Sequence, residues 1–307
     1  MSMSPAGPQV WPPLLTPFLP TGEIDFGALA HLVEFYIEMK VEGFLVLGLS
    51  GELFELDSVE RRIIVERVAT QINGRARFVV GTTGSNPGEL KDQAIHHADL
   101  GADATVLLAS QIVEPEATDD DLAHALESLL EAVPGPLGIY EAPLPYKRVL
   151  GGASFSLVSE SGRFTFMKDA CQDLELMGQR ATISASSPVT LLNAEIFSLR
   201  SSMTVGYHGF CGLVANLYPH LVARAADATD KEGEELGLLL SVADAALEKG
   251  YPSSAKHVLS HTIGYNFSSY SRRLRAEAEP RSITSLTSFD RYVARRFKQE
   301  RPAQRGA

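Results

Sequence analysis

Short, nearly continuous apolar runs alternate with amphipathic stretches along the first two thirds of the chain. The runs cover residues 10–18, 43–49, 77–81, 104–109, 137–140, 164–168, 181–184 and 203–206, and each reads as a strand. The stretches between them, 26–40, 58–71, 87–100, 119–132, 155–160, 172–178 and 188–197, carry helical spacing. Helix-start chemistry marks several junctions. Asp57-Ser58-Val59-Glu60 offers a capping side chain with an acid in the first turn, and Asn86-Pro87 sets a proline at a first helical position. Strands apolar on both faces and separated by helices belong to a parallel sheet covered by those helices. Eight such units predict a (β/α)8 TIM barrel. An open doubly wound sheet is the runner-up, disfavoured because no Gly-x-Gly-x-x-Gly follows the first run.

Past about residue 218 the strand pattern stops, and 221–249, 252–263 and 288–298 read as helices. The expected layout is a barrel core over 9–217, then the last barrel helix and a C-terminal helical appendage over 218–300, available as one face of an oligomer contact. Residues 1–8 and 301–307 are expected to fray.

The 307 residues are 45% hydrophobic and 21% charged, an ordinary balance for a globular protein. A net charge of −11 argues against nucleic-acid or anionic-membrane partners, and no apolar run is long enough to span a bilayer. Two cysteines, Cys171 and Cys211, make no disulfide framework; with an N-terminus unlike a signal peptide, they fit a cytoplasmic location. Asp119-Asp120-Asp121 reads as acids favoured by a helix N-terminus rather than as a metal site. His96-His97, adjacent on a helix, do not share a face and read as a surface pair.

The most informative residue is Lys168, the end of the strand Arg163-Phe164-Thr165-Phe166-Met167-Lys168. Strand alternation places it on one face with Phe166 and Phe164. Poor solvation there lowers an ammonium's pKa, and a neutral amine can attack a ketone to form a Schiff base. The other reading is a strand-end lysine that reaches water.

Six strand-end motifs then resemble the dihydrodipicolinate synthase / N-acetylneuraminate lyase family of class I aldolases, over roughly residues 10–300. They are Leu15-Thr16-Pro17-Phe18 with Gly22-Glu23-Ile24-Asp25, Gly48-Leu49-Ser50-Gly51-Glu52, Gly81-Thr82-Thr83-Gly84-Ser85-Asn86, Tyr140-Glu141-Ala142-Pro143, Met167-Lys168-Asp169, and Gly209-Phe210-Cys211-Gly212-Leu213-Val214-Ala215-Asn216. Gly81-Thr82-Thr83-Gly84 spells the family's substrate loop, but strand order assigns that loop to residues 48–52. The resemblance implies that Lys168 forms an imine with a 2-oxo acid, that Tyr140 shuttles protons, and that Ser50 and Gly51 cradle the substrate carboxylate. It also sets Gly209 and Cys211 against the substrate. It implies no cofactor beyond the covalent imine, a small-molecule 2-oxo acid as partner, and a homodimer or homotetramer.

The chain departs from the family in several places. Leu49 stands where a hydroxyl links the relay tyrosines, and Gln111 and Ile112 occupy the neighbourhood of the cross-dimer tyrosine. Pro145 replaces the semialdehyde-binding arginine, with Lys147 and Arg148 nearby, and Ser186-Ser187-Pro188 replaces an acidic stretch. Glu141, where asparagine is usual, reads either as an acid or base at the substrate or as a rim carboxylate facing water. Cys171 reads as a thiolate favoured by a helix start or as an inert buried thiol. The resulting expectation is a Schiff-base lyase, cleaving or dehydrating a pyruvate-derived 2-oxo acid, that is not a true dihydrodipicolinate synthase. The alternative is a barrel that binds or senses a 2-oxo acid without turning it over.

Overall fold

The structure is a computed structural model and describes residues 7–84, 86–228 and 230–297. Strands and helices alternate: β1 (Gln9–Val10), α1 (Phe26–Glu38), β2 (Gly43–Val46), α2 (Ser58–Ile72), β3 (Arg77–Thr82), α3 (Pro87–Asp99), β4 (Ala104–Leu108) and α4 (Asp119–Ala132). They continue with β5 (Leu137–Tyr140), α5 (Gly152–Glu160), β6 (Phe164–Asp169), α6 (Leu174–Ile183), β7 (Thr190–Asn193), α7 (Leu199–Thr204), β8 (Gly209–Phe210) and α8 (Pro219–Asp227). Three further helices follow: α9 (Lys231–Glu248), α10 (Ser253–Thr262) and α11 (Pro280–Arg296).

All strand pairs are parallel, in the order β1-β8-β7-β6-β5-β4-β3-β2. The two edges meet where Leu45 N–H donates to the Pro12 carbonyl at 3.2 Å and Leu14 N–H donates to the Leu45 carbonyl at 2.9 Å. That makes the sheet a (β/α)8 barrel, as expected. β1 is much shorter than the expected 10–18 run. Pro12, Pro13 and Pro17 have no N–H to give to a ladder, so the apolar run continues as irregular chain.

Inside the barrel, Trp11 meets the edge of Phe166, ring centroids 5.3 Å apart. Each such fully buried side chain contributes about 1.5–3 kcal/mol. Gly43 makes room for that indole: a Cβ there would lie 2.4 Å from it. Val106, Leu108, Tyr140, Leu192 and Phe210 share this inner core, while Leu107, Ile139, Met167 and Leu191 pack outward under the helices. Alternation along each strand separates the two layers.

Four expectations are corrected. Residues 181–184 are not a strand but the end of α6, which runs through Gly178. Residues 188–197 are not a helix, since they contain β7, and residues 203–206 close α7 before β8 begins at Gly209. Phe164 does not share a face with Lys168. The β5–β6 register shifts between Leu137 and Gly138, leaving Thr165 as an extra residue on β6, and Phe164 turns outward to join Met167.

The C-terminal helices share the barrel's core, because Leu236, Leu240, Leu247, Leu259, Leu286 and Val293 are buried in one cluster with Trp11 and Phe166. His97 is not a surface residue. It is buried, its Nδ1 lies 3.0 Å from Thr105 Oγ1, and burial pushes its pKa down to about 4. The acids at the start of α4 are structural: Asp121 completes a capping box with Thr118, and Asp119 accepts from the N–H groups of Gly151, Ala153 and Ser154 at the start of α5. No helix among the described residues is long and apolar enough to cross a membrane. Of the segments expected to fray, 1–8 and 301–307, residues 1–6 and 301–307 lie outside the described residues.

Candidate active site

β5 and β6 pair with Tyr140 opposite Lys168, at the ends from which the chain leaves the barrel. Both side chains belong to the inner face, one step beyond the Trp11–Phe166 layer. Lys168 is 3% exposed, and its Nζ lies 4.5 Å from the Tyr140 ring centroid. The lysine is therefore sequestered, and the reading in which it reaches water is excluded. Its pKa corrects the sequence expectation. Burial pushes the ammonium down, but Tyr140 and Cys211, which become anionic only at high pH, hold the proton on the lysine there, so the net direction is up. Burial pushes the Tyr140 phenol up as well, and the fully buried Cys211 thiol up to about 11. At neutral pH the cluster is an ammonium among neutral partners.

Ser50 and Gly51 sit in a tight turn, Leu49–Gly51, after β2. Gly51 N–H donates to the Gly48 carbonyl and Glu52 N–H to the Leu49 carbonyl, so those two amides are consumed by the turn rather than free for a ligand. Thr16 Oγ1 caps the Gly51 carbonyl at 2.8 Å. Glu52 anchors the turn from beneath: its carboxylate takes Lys256 Nζ at 2.5 Å, Ser271 Oγ at 2.8 Å and Arg273 N–H at 2.9 Å, with Glu52 and Lys256 both fully buried. Gly209 lies on β8 against β1, where a Cβ would stand 1.9 Å from the Gln9 carbonyl oxygen.

Glu141 faces neither substrate nor water. Alternation turns it away from Tyr140, to the outside of the strand, where it is fully buried. Its Oε1 accepts from Leu150 N–H at 2.8 Å and Arg180 Nη2 at 2.6 Å, and its Oε2 accepts from Ala170 N–H at 3.0 Å. Arg180, from α6, also reaches Asp169 Oδ2 at 2.5 Å, and the Tyr207 hydroxyl donates to the same carboxylate. The guanidinium thus ties the residue after Tyr140 to the residue after Lys168. Burial raises Glu141 to about 7, with the Asp169 charge adding to it and Arg180 opposing. Cys171 is held neutral, since burial and the neighbouring Asp169 push its thiol up to about 12.

Three residues were missed by sequence reasoning. Glu195 follows β7 and its charge acts on both Lys168 and Tyr140. Correct placement of β7 at Thr190–Asn193 would have found it and would have displaced Ser186-Ser187-Pro188 from that role. Asp244 on α9 accepts from Val214 N–H at 3.0 Å, and burial raises it to about 7. Tyr251 is buried beside the Ser50 turn. Arg148 is spent elsewhere: it donates to the Ala117 and Thr118 carbonyls.

Comparison with known proteins shows the family and the fold. The model of the dihydrodipicolinate synthetase family matches residues 8–275. A 4-hydroxy-tetrahydrodipicolinate synthase of Coxiella burnetii is 26% identical over 255 residues, covering 80% of this chain and 85% of its own. CdNal from Clostridium difficile, solved in complex with mannosamine, superposes with a TM-score of 0.82 at 18% identity, covering 94% of this chain and 99% of that one. YagE from E. coli K12, in complex with pyruvate, superposes with a TM-score of 0.78 at 17% identity, over 95% of this chain and 98% of that one.

Proposed function

Since the chain belongs to the dihydrodipicolinate synthetase family, whose members are class I aldolase-type lyases that form a Schiff base on a lysine without a cofactor, we propose that it is a lyase acting on a pyruvate-derived 2-oxo acid by retro-aldol cleavage or dehydration. Lys168 forms the imine, Tyr140 moves protons, and the Ser50 hydroxyl, presented by the Gly51 turn, takes the substrate carboxylate. The pairing of a buried Lys168 with Tyr140 at the barrel mouth carries this reading.

The neutral amine of Lys168 attacks the ketone carbon. A proton passes from the nitrogen to the oxygen to give the carbinolamine. Tyr140 then donates a second proton to that hydroxyl, which departs as water while the nitrogen lone pair forms the protonated imine and leaves a phenolate. The protonated imine then accepts the electron pair left on the neighbouring carbon, C3, when its bond to C4 breaks or when it loses a proton, giving an enamine. Because the resting ammonium sits above the ordinary lysine value, the attacking amine is a minor form, generated within the Lys168–Tyr140 pair.

Arg148 is occupied by backbone carbonyls. A semialdehyde carboxylate at the distal end of the substrate would find no counter-charge from it, which supports an activity other than dihydrodipicolinate synthesis.

The test is borohydride trapping with pyruvate followed by peptide mapping. A pyruvyl adduct on Lys168, lost in Lys168→Ala, is expected. An unlabelled Lys168, under conditions that label another family member, would instead favour a barrel that binds 2-oxo acids without turnover.

A further inference from the structure

The Ser50 hydroxyl is itself held from behind. Tyr251, just past α9, is buried under the mouth loop, and its phenol interacts with the Ser50 side chain, which offsets part of the rise that burial imposes on it. The same residue is fixed to the loop through its backbone. Arg273 donates Nη2 to the Tyr251 carbonyl at 2.8 Å and Nη1 to the Leu49 carbonyl at 3.2 Å, so one guanidinium clasps the C-terminal segment to the turn that carries Ser50. The Tyr251 oxygen also lies 2.9 Å from Asn216 Nδ2, and the Tyr36 hydroxyl lies 2.8 Å from Asn216 Oδ1. Asn216 and Tyr36 are both fully buried. A buried chain of side chains therefore runs from α1 through Asn216 to Tyr251, behind the turn that carries Ser50.

We propose that Tyr251 is a positioning residue for the Ser50 hydroxyl, and that it sets how tightly the carboxylate of a 2-oxo acid is held while leaving the chemistry at Lys168 unchanged. This rests on reading Ser50 as the carboxylate cradle. A serine hydroxyl left to itself rotates among staggered positions, and a ligand that fixes one of them loses affinity in doing so. A rigid aromatic arm, clamped at its own backbone and bonded at its tip, removes that freedom before the ligand arrives. Tyr251 therefore belongs to recognition and Tyr140 to proton transfer, although both are buried phenols near the same turn.

The experiment compares wild type with Tyr251→Phe. Borohydride trapping is run across a range of pyruvate concentrations, the Lys168 adduct is quantified, and both proteins are titrated calorimetrically with pyruvate. Removal of one neutral hydrogen bond is expected to raise the half-saturating pyruvate concentration about five- to tenfold. The adduct yield at saturation stays at the wild-type level. A purely structural role would lower Tm and leave half-saturation where it was, and that result overturns the proposal. So does a loss of yield at saturating pyruvate, which would move Tyr251 into the chemical step. If wild type traps nothing, the Schiff-base reading fails, while equal calorimetric affinities in the two proteins would separately refute the role of Tyr251.

Discussion

Replacing Arg180 with Met removes the cation shared by Glu141 and Asp169 while keeping much of the side chain's apolar volume. In the native protein the guanidinium is 1% exposed and makes contacts of 2.5 Å to Asp169, 2.6 Å to Glu141 and 2.6 Å to the Leu150 carbonyl. Without it, two buried carboxylates face each other with no counter-charge. Breaking a buried pair from one side costs about 3–5 kcal/mol. At about 2–4 °C per kcal/mol, Tm should fall by roughly 6–20 °C. The loss depends on pH. Glu141 already sits at about 7, so below that pH it takes up a proton and relieves the repulsion. Arg180→Met should therefore be least damaging near pH 5.5 and most damaging near pH 8.5. Scanning calorimetry at one scan rate across that range reads the effect, with Arg180→Met/Glu141→Gln as the second arm. The double variant removes the unpaired charge and should regain at least about 1 kcal/mol relative to additivity. A single variant melting within 2 °C (about 1 kcal/mol or less) of wild type at pH 8.5, or a double variant worse than additive, would refute the idea of a charge clamp.

Other outcomes follow from the same geometry. Tyr140→Phe should lower kcat about 10²- to 10⁴-fold with a smaller change in KM, measured by steady-state kinetics once a substrate is in hand. Because Lys168 lies above its ordinary value, the rate of imine trapping at low pyruvate should keep climbing between pH 6 and 9; a plateau below pH 8 would mean that desolvation dominates after all. Asp244→Asn keeps an acceptor for Val214 N–H and removes a charge that burial opposes. The folded-state pKa of Asp244, about 7, lies above its unfolded value, so the charge is costly above pH 7 and absent below about 4. The variant should accordingly gain roughly 1–4 kcal/mol at pH 8 in urea titrations, and that gain should vanish as the pH falls toward 4. His97 has the opposite sign of effect in its own window. Its folded pKa of about 4 is below the unfolded one, so its contribution is present above pH 6.5 and is lost as the pH falls through 4; His97→Gln should flatten that acid limb.

The strands legible in the sequence were those with uninterrupted apolar runs and clear turns, β2 through β6. β7 and β8 were misplaced for local reasons. Ala181-Thr182-Ile183 carries β-branched residues at the end of a helix, whereas Pro188 imitates a helix start ahead of Thr190–Asn193. Lys168 and Tyr140 were legible because each is a strand-end residue whose facing follows from alternation. Glu141 was not: its partner Arg180 lies 39 positions away, and only the phase of α6 brings the two together. Tyr251 and Asp244 escaped because nothing in their neighbourhood looks like a strand end, and only the docking of α9 brings them to the mouth. Glu52 and Lys256 tie the barrel to the C-terminal helices through a buried ion pair whose partners lie too far apart in sequence to be paired by pattern.

The Tyr140–Lys168 register has a consequence for how this barrel can diverge. On neighbouring strands, one residue of each adjacent pair points to the lumen and the next points to the helices, so reactive groups and ionic ties alternate at single-residue spacing. A slip of one position would carry the ammonium into the helix layer beside Arg180 and deliver Asp169 to the lumen, setting like charges together on one side and leaving an unpaired anion on the other. The ionic tie thus acts as a key for strand alignment. Residues lining the mouth are free to change with the substrate, whereas the outward residues beside them are bound to one another and must change together or not at all.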